Sequence, residues 1–152
     1  MSDAIVAGTS YQFKVAAANK WGTGIFSEVV TVLAASIPAT IDQAPVTSVE
    51  ASNGDVLITW NEPDDHGAAL ESYLLQIKNQ LGSWQSPTCR EEVSEVFANR
   101  SCHVPMLSLS AAPFEIGFNE LIEVRVSSIN SQGQSLPSDI NTDGARIRAL
   151  PG

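Results

Sequence analysis

The sequence predicts an all-β fold, an antiparallel β-sandwich, from the alternation, the spacing and the turn residues of its apolar runs. Apolar and polar residues alternate over short runs, as they do in strands that bury one face. About seven such runs follow one another at roughly ten-residue spacing, which is typical of sandwiches. Ten glycines and eight prolines lie between the runs as turn residues. No segment shows convincing helical periodicity, and residues 108–112 are compatible with one helical turn only.

One hairpin pattern occurs twice, 111 residues apart, as SYQFKVAAANKWGTGIFSE and as LIEVRVSSINSQGQSLPSD. The alternating positions of the two copies correspond: Tyr11, Phe13, Val15 and Ala17 match Ile122, Val124, Val126 and Ser128. Each strand then stops at an asparagine, Asn19 or Asn130, with a glycine three residues later. Asparagine tolerates left-handed backbone and glycine favours it, so each copy is predicted to turn and return antiparallel.

The strands follow in order along the chain. The first is predicted at residues 11–19, and its return strand, rich in Val and Thr, at residues 28–34. The strand at residues 55–60 places Val56, Ile58 and Trp60 on one face, so Trp60 is expected in the core. The remaining strands are predicted at residues 46–49, 71–78, 121–130 and 140–149.

The 111-residue repeat divides the chain into unequal parts. We expect residues 1–37 to be the end of one domain, residues 38–45 to be a linker, and residues 46–152 to be a complete domain. Two strands cannot cover their own apolar face. Residues 1–37 are therefore expected to need more protein around them, which predicts a segment of a longer array. Strand addition by another molecule is the alternative.

Three stretches resemble a fibronectin type III domain, which is an immunoglobulin-like antiparallel β-sandwich. They are DVLITW with the Pro–Gly loop after it, SYLLQIK, and GTSYQFKVAAANKWGTGIFSE. The resemblance covers essentially the whole chain, and it implies strands F and G for residues 1–37 and a complete type III domain for residues 46–152. The order of residues from Cys89 to Gly117 is most similar to repeats of very large cysteine-containing surface proteins of ciliated protists.

The corner before the first strand carries the most specific part of this resemblance. The family's corner, in which a tyrosine hydroxyl bonds to the backbone upstream, is matched by Ile5, Gly8, Thr9 and Tyr11. The second copy has Ile122 in place of the tyrosine, so that hydrogen bond cannot form there. We expect packing alone, of Ile116 and Phe118, to hold the second corner.

Cys89 and Cys102 are the only two cysteines of the chain. A disulfide that closes a small loop is the favoured interpretation, and it contributes about 3 kcal/mol in the chain-entropy model. Such a bond persists only in an oxidising compartment, whereas two free thiols would fit a cytosolic protein. A metal site with His103 is disfavoured, because the neighbouring side chains of Cys102 and His103 point to opposite faces of a strand.

Asn99, Arg100 and Ser101 form an N-x-S sequon inside the loop between the cysteines. Glycan attachment to Asn99 is therefore a candidate modification, and chance occurrence of the triplet is the alternative. Together with the predicted disulfide, the sequon favours an extracellular or cell-surface location.

The loop that contains Asp64, Asp65 and His66 lacks the spacing of a calcium loop, so a solvated loop is the simpler interpretation. In the type III topology this loop and the turn with Gln132 lie at the end of the domain that faces the preceding corner, residues 5–10. We therefore name Asp64, Asp65, His66 and Gln132 as candidates for an inter-domain contact rather than for catalysis or calcium binding.

Trp21 lies in the turn of the first hairpin and is expected to be exposed. It is a candidate for ligand binding by an exposed loop. Packing against another part of its own domain, or against the domain before it, is the alternative interpretation.

Several function classes are disfavoured by the sequence. It contains no G-x-S-x-G, H-E-x-x-H or phosphate-cradling glycine loop, so no catalytic, cofactor-binding or metal residue is named. The net charge of −9 lies entirely in residues 42–152 and argues against nucleic acid and anionic lipid as partners. No apolar run of membrane-spanning length occurs, so direct membrane insertion of this segment is not expected.

The sequence therefore favours a non-catalytic structural or adhesive module, one segment of a tandem array of extracellular type III repeats. Its expected partners are neighbouring type III domains of the same chain or of a homopolymer, and beyond them other surface proteins. The alternatives are a ligand-binding module of a receptor ectodomain and a spacer domain of a secreted multidomain enzyme. Fold does not decide between them.

Overall fold

A computed structural model describes residues 4–148 of the chain. The first four strands are β1 Ser10–Phe13, β2 Ala18–Asn19, β3 Gly22–Thr23 and β4 Val30–Leu33. The later strands are β5 Val46–Val49, β6 Val56–Thr59, β7 Leu70–Lys78, β8 Trp84–Gln85, β9 Ser101–Val104, β10 Val124–Asn130 and β11 Gly133–Gln134. Two short helices, α1 Val93–Asn99 and α2 Met106–Ser110, flank β9.

Two antiparallel sheets form a sandwich from the strands β5 to β11. One sheet has the strand order β5-β6-β9 and the other β11-β10-β7-β8, so strands distant in sequence become neighbours. Alternating side chains of both sheets point inward and form one core, whose members include Val56, Ile58, Leu75, Ile77, Val104, Ile122, Val124 and Val126. The predicted fold class, an all-β immunoglobulin-like sandwich, is confirmed.

The first hairpin lies apart from this core. Strand β1 pairs antiparallel with β4, from Ser10 opposite Leu33 to Phe13 opposite Val30, and β2 pairs with β3 at the turn. Its apolar side chains are largely exposed, 56% for Phe13 and 70% for Val15. The corresponding residues of the second copy, Val124 and Val126, are fully buried.

The two hairpins nevertheless share their hydrogen bonds, position by position. The hydroxyl of Ser27 accepts a bond from the Val15 N–H at 3.0 Å, and that of Ser138 accepts one from the Val126 N–H at 3.1 Å. Both turns also have an asparagine side chain that accepts a bond, at 2.8 Å in each case, from the N–H two residues later. The sequence repeat is therefore a structural repeat.

The first strand is shorter than predicted. Instead of one strand over residues 11–19, the structure has β1 and β2 with irregular backbone between them. In the second copy, β10 pairs with β7 along its whole length, with one register shift between Ile129 and Asn130. Across the described residues, the first hairpin has no strand that corresponds to β7, and serine side chains replace part of its ladder with β4.

Helix α1 was not predicted, because the sequence shows no helical periodicity there. A helix of seven residues is too short to show periodicity in a window of 11–18 residues. In α1 only Val96 and Phe97 are partly buried, and Phe97 packs on Tyr73 at a ring distance of 5.6 Å. In α2, Met106 and Leu109 are buried. The predicted helical turn at residues 108–112 overlaps the end of α2.

The predicted last strand, residues 140–149, does not form a regular ladder within the described part of the chain. Its only bridge pairs Leu121 with Arg146, and residue 149 lies outside the described residues. The side chain of Asn141 takes the place of backbone pairing, because it accepts a bond from the Val124 N–H at 2.7 Å and donates one to the Ile122 carbonyl at 2.9 Å.

The two corners differ as their sequences indicate. The Tyr11 hydroxyl accepts a hydrogen bond from the Val6 N–H at 2.8 Å, which is the bond that the resemblance implied. In the second corner Ile116 is buried, but Phe118 is 72% exposed. Backbone bonds hold this corner: Asn119 donates to the Ile147 carbonyl at 2.8 Å, and Ile147 donates to that of Glu120 at 3.1 Å. The expectation of packing alone, with Phe118 taking part, was therefore wrong.

Val15 and Val126 occupy equivalent positions of the two hairpins, so they allow a direct test of the difference in burial. We expect Val126→Ala to lower the free energy of unfolding by about 2 kcal/mol, because it removes fully buried methyl groups. The matched variant Val15→Ala removes exposed groups and should change it by less than about 0.5 kcal/mol. Urea unfolding followed by tryptophan fluorescence measures both, and equal losses would contradict the difference in burial.

Candidate functional site

The disulfide loop lies at the open edge of the sandwich. Cys89 and Cys102 are joined, with 5.2 Å between their Cα atoms, so the disulfide expected from the sequence is present in the structure. Cys102 is fully buried on β9, and the bond therefore ties the segment before α1 to the core. Glu91 lies close to both sulfur atoms, but sulfur atoms bonded to each other are not available as thiolate ligands.

An ion pair between the exposed Arg90 and the buried Asp55 holds the segment that follows Cys89. The Arg90 guanidinium donates two hydrogen bonds to the buried carboxylate of Asp55, one from Nε and one from Nη2 at 2.9 Å. These hydrogen bonds keep the pKa of Asp55 below its ordinary value, against the opposing effect of burial. The pair is bidentate, which fixes the direction of both side chains.

His103, which follows Cys102, is held between two carboxylates. Its backbone N–H donates to Glu91 at 3.0 Å, and its Nδ1 contacts the second oxygen of the same carboxylate. Glu50 lies 3.6 Å from its Nε2. The hydrogen bond to Glu91, together with the charges of Glu91 and Glu50, raises the pKa of His103 despite partial burial. Both ends of the disulfide loop are thus fastened by charged side chains.

Asn99 is the last residue of α1 and is exposed. Arg100 after it adopts a left-handed conformation with φ of 51°, which ends the helix and turns the chain into β9. The guanidinium of Arg100 lies 3.5 Å from the Glu62 carboxylate. The sequon therefore spans a helix end and a strand start, with its asparagine accessible from solvent.

The loop at residues 61–69 lies against the segment that joins the hairpin to the sandwich. The Ser36 N–H donates to the His66 carbonyl at 3.2 Å, and the Ala39 N–H donates to the Asp64 carbonyl at 3.0 Å. The Nδ1 of His66 lies 2.9 Å from the Ile37 carbonyl. The sequence placed this loop opposite residues 5–10, and of these Gly8 does approach it, but most of the hydrogen bonds are made to residues 36–39.

The candidate residues of this contact act in different ways. The carboxylates of Asp64 and Asp65 accept hydrogen bonds within their own loop, from the backbone of His66 at 2.8 Å and of Gly67 at 2.9 Å. The backbone carbonyl of Asp64, rather than its charge, meets the linker, and that of Asp65 accepts a bond from Asn130 Nδ2 at 2.9 Å. Gln132 is exposed, and its hydrogen bonds in the described structure stay within its own turn.

Asn130 is the central residue of this contact, and sequence reasoning noted it only as a turn residue. Its side chain is 3% exposed. Its Nδ2 lies 2.9 Å from the carbonyl oxygens of both Ser36 and Asp65, and 3.3 Å from that of Ala68. Its repetition at Asn19 was visible in the sequence, but the partners are 94 and 65 residues away from it. No local pattern indicates them.

The tryptophans lie in contrasting surroundings. Trp60 is buried, as predicted, and meets Tyr73 edge to face at 5.4 Å between ring centroids. Trp21 is 84% exposed, with the Lys20 ammonium 5.1 Å from its ring. Trp84 is half-buried beneath the guanidinium of Arg125, at 4.2 Å. Trp21 thus offers an open aromatic surface, whereas the other two are occupied by packing.

Two open grooves, of about 500 Å³ and about 510 Å³, flank the disulfide loop. Asp55, Arg90 and Met106 contribute to one, and Tyr73, Thr88 and Val96 to the other. In the part of the chain that the structure covers, neither lining holds a histidine or a free thiol.

Comparison with known proteins places the chain among β-sandwich domains of larger proteins. No protein-family model matches it. It is 31% identical to Protein turtle homolog B of Rattus norvegicus and of Mus musculus, and 32% identical to that of Homo sapiens, over 83 residues each. That match takes in 50% of this chain and only 6% of the length of these relatives.

Among solved structures, the crystal structure of domains A168-A170 from titin is similar. The TM-score is 0.50 at 18% sequence identity, over 91% of this chain and 41% of that one. At this identity the likeness shows the fold alone, which is that of an immunoglobulin-like or type III β-sandwich. Neither described helix is long and apolar enough to cross a membrane.

The disulfide can be tested through stability. We expect the double variant Cys89→Ser/Cys102→Ser to lose about 3 kcal/mol of unfolding free energy, because the bond closes a loop with a sequence separation of 13. Equilibrium urea unfolding measures the loss, with reductant as a second route to the same state. Reductant should not affect the double variant, and an unchanged stability of the reduced wild type would contradict the expectation.

The His103 cluster predicts a pH dependence of stability. Since its pKa is raised in the folded state, its stabilising effect is complete below the unfolded-state pKa of about 6.5 and is lost as the pH rises through the folded-state pKa. The free energy of unfolding should therefore fall from pH 6 upward through neutrality. His103→Gln and Glu91→Gln should both flatten this decline in urea titrations, and an undiminished decline in His103→Gln would disprove the assignment.

Proposed function

We propose that this chain is a non-catalytic structural or adhesive module, a segment of a tandem array of extracellular fibronectin type III repeats. One observation carries the proposal: the same hairpin occurs twice with the same hydrogen bonds, once with its apolar face buried and once with it exposed. An apolar sheet face of this kind is normally covered by a second sheet. In a tandem array, the other strands of the repeat to which the first hairpin belongs provide this second sheet.

The proposed division follows from the same comparison. Residues 1–37 are strands F and G of one type III domain, residues 38–45 are the linker, and residues 46–152 are a complete domain. The burial of Val126 against the exposure of Val15 supports this division, because equivalent positions of a complete domain should be equally buried. The order of residues from Cys89 to Gly117 further supports kinship with the large surface proteins of ciliated protists.

An extracellular or cell-surface location is part of the proposal. The disulfide between Cys89 and Cys102 supports it, because such bonds persist in oxidising compartments. The exposure of Asn99 is compatible with a glycan at that position, which the intact mass of the secreted protein would reveal. The similarity to parts of titin and of Protein turtle homolog B supports a module within a larger protein.

The proposed partners are neighbouring type III domains of the same chain or of a homopolymer. The loop with Asp64, Asp65 and His66 and the turn with Gln132 are the inter-domain surface on this proposal, supported by the backbone bonds to Ser36 and Ala39. The exposed ring of Trp21 favours a second candidate, ligand binding by a receptor ectodomain. A spacer in a secreted multidomain enzyme is the third.

The sequence of the parent transcript on both sides of this segment tests the proposal. We expect further copies of the hairpin pattern, with a period near 111 residues, before and after it. A catalytic domain nearby would favour the spacer instead, and a single membrane span next to one or two repeats would favour the receptor. Flanking sequence without any further copy would contradict the array.

A further inference from the structure

We propose that Asn130, Gly67 and the backbone of residues 64–68 form a linker clamp. This clamp receives the extended segment at residues 36–39, which joins the end of the first unit to the predicted linker and is called the linker from here on. The clamp holds the first hairpin and the sandwich in one relative orientation. The inference rests on the proposed division of the chain into two units. It adds to that division a rigid joint and the residues that determine its geometry.

Asn130 is oriented so that its amide group can donate only toward the linker and the loop. Its Oδ1 is occupied by the Gln132 N–H at 2.8 Å, so Nδ2 must point the other way. On that side lie the carbonyl oxygens of Ser36 and Asp65, both at 2.9 Å. One buried side chain thus connects the end of β10, the loop and the linker, a role that an aspartate could not take because its carboxylate would repel the carbonyl oxygens.

The linker meets the loop as an extended segment. Its N–H groups at Ser36 and Ala39 donate to the loop carbonyls of His66 and Asp64. Between these donors, Pro38 is buried, has no N–H of its own, and keeps the residue before it extended. Of the three N–H groups in residues 36–39, those of Ser36 and Ala39 therefore meet carbonyl oxygens of the loop.

Gly67 brings the loop into backbone contact with the hairpin. A Cβ atom at this position would lie 2.4 Å from the Gly8 nitrogen and 2.6 Å from the Ala34 carbonyl oxygen, and its φ of 95° also favours glycine. At the other side of the joint, a Cβ on Gly133 would lie 3.1 Å from the Ile37 side chain. The joint is thus closely packed on two sides, which opposes hinge motion.

This arrangement differs from the usual connection between domains. Relative motion is the default where the interface is small and the linker flexible. Here the linker forms hydrogen bonds through its N–H groups and also through its carbonyl oxygens, and Pro38 is buried. The expected consequence is that the two units tumble in solution as one body.

The test compares two variants with controls that the repeat provides. Asn130→Ala removes the clamp donor, and its control Asn19→Ala removes the equivalent turn bond, to the Trp21 N–H, at a position that holds no linker in the described structure. Gly67→Ala inserts a methyl group into the contact with Gly8. Its control Gly82→Ala has a similar φ of 88° but meets nothing within 4 Å.

Residual dipolar couplings and amide hydrogen exchange of the full chain give the readout. In the wild type and both controls we expect one alignment tensor for the hairpin and the sandwich, and protected N–H groups at Ser36 and Ala39. In Asn130→Ala and Gly67→Ala the two units should align differently, and exchange at these two N–H groups should become about tenfold faster. Protected N–H groups in β6 and β10 show that the sandwich remains folded.

The proposal is overturned if the wild-type units already align independently. It is equally overturned if both clamp variants keep the wild-type tensor and exchange rates. Should Asn130→Ala fail to fold, Gly67→Ala decides alone, because it leaves all the hydrogen-bonding side chains in place. This experiment does not depend on the flanking sequence of the parent transcript, which tests the array. A rigid joint without an array and an array with flexible joints would therefore be distinguished.

Discussion

A two-stranded hairpin has one apolar face and no element of its own to cover it. The rest of the structure depends on how this face is covered. In the second copy, β10 buries Val124 and Val126 against the sheet that contains β6, and the sandwich forms around that contact. In the first copy, equivalent serine and asparagine hydrogen bonds shape the hairpin, but Phe13 and Val15 remain exposed. Side-chain hydrogen bonds are therefore sufficient to shape the hairpin, whereas burial requires a partner.

The open edge of the sandwich shows how a short irregular segment can be fixed without joining the core. The disulfide anchors Cys89 to the buried Cys102, Arg90 pairs with the buried Asp55, and His103 binds Glu91. Each of these attachments uses a residue next to a cysteine, so the cross-link and the charges act on the same few residues. Helix α1 can then remain largely exposed, with Asn99 at its end.

The joint ahead of the sandwich uses different chemistry for a related purpose. The charges of Asp64 and Asp65 stay within their loop, and backbone carbonyls carry the contact with the linker. Such a contact depends little on which side chains the neighbouring unit presents, provided that glycine is present where the backbones approach. For a protein built from repeats, this allows one type of joint to recur while the surfaces of the units diverge.

The bond of the Tyr11 corner was implied by the resemblance to a type III corner. The fold class, the repeat of 111 residues and the cysteine pair could be predicted from the residues themselves. Each of these depends on alternation, turn residues or spacing within a short stretch, and local stereochemistry connects such patterns to structure. Helix α1 was missed because seven residues are too few for periodicity, and the irregular last strand because Asn141 replaces backbone pairing through its side chain.

Which distant residues meet could not be predicted from the sequence. Asp55 and Arg90 are 35 residues apart, and Ser36 and Asn130 are 94 residues apart, so neither contact leaves a local signature. The exposure of Phe118, which the sequence placed in a corner, likewise follows from how the chain packs. The hairpin SYQFKVAAANKWGTGIFSE could be recognised from its residues alone, but whether its apolar face is covered depends on what the rest of the protein places against it.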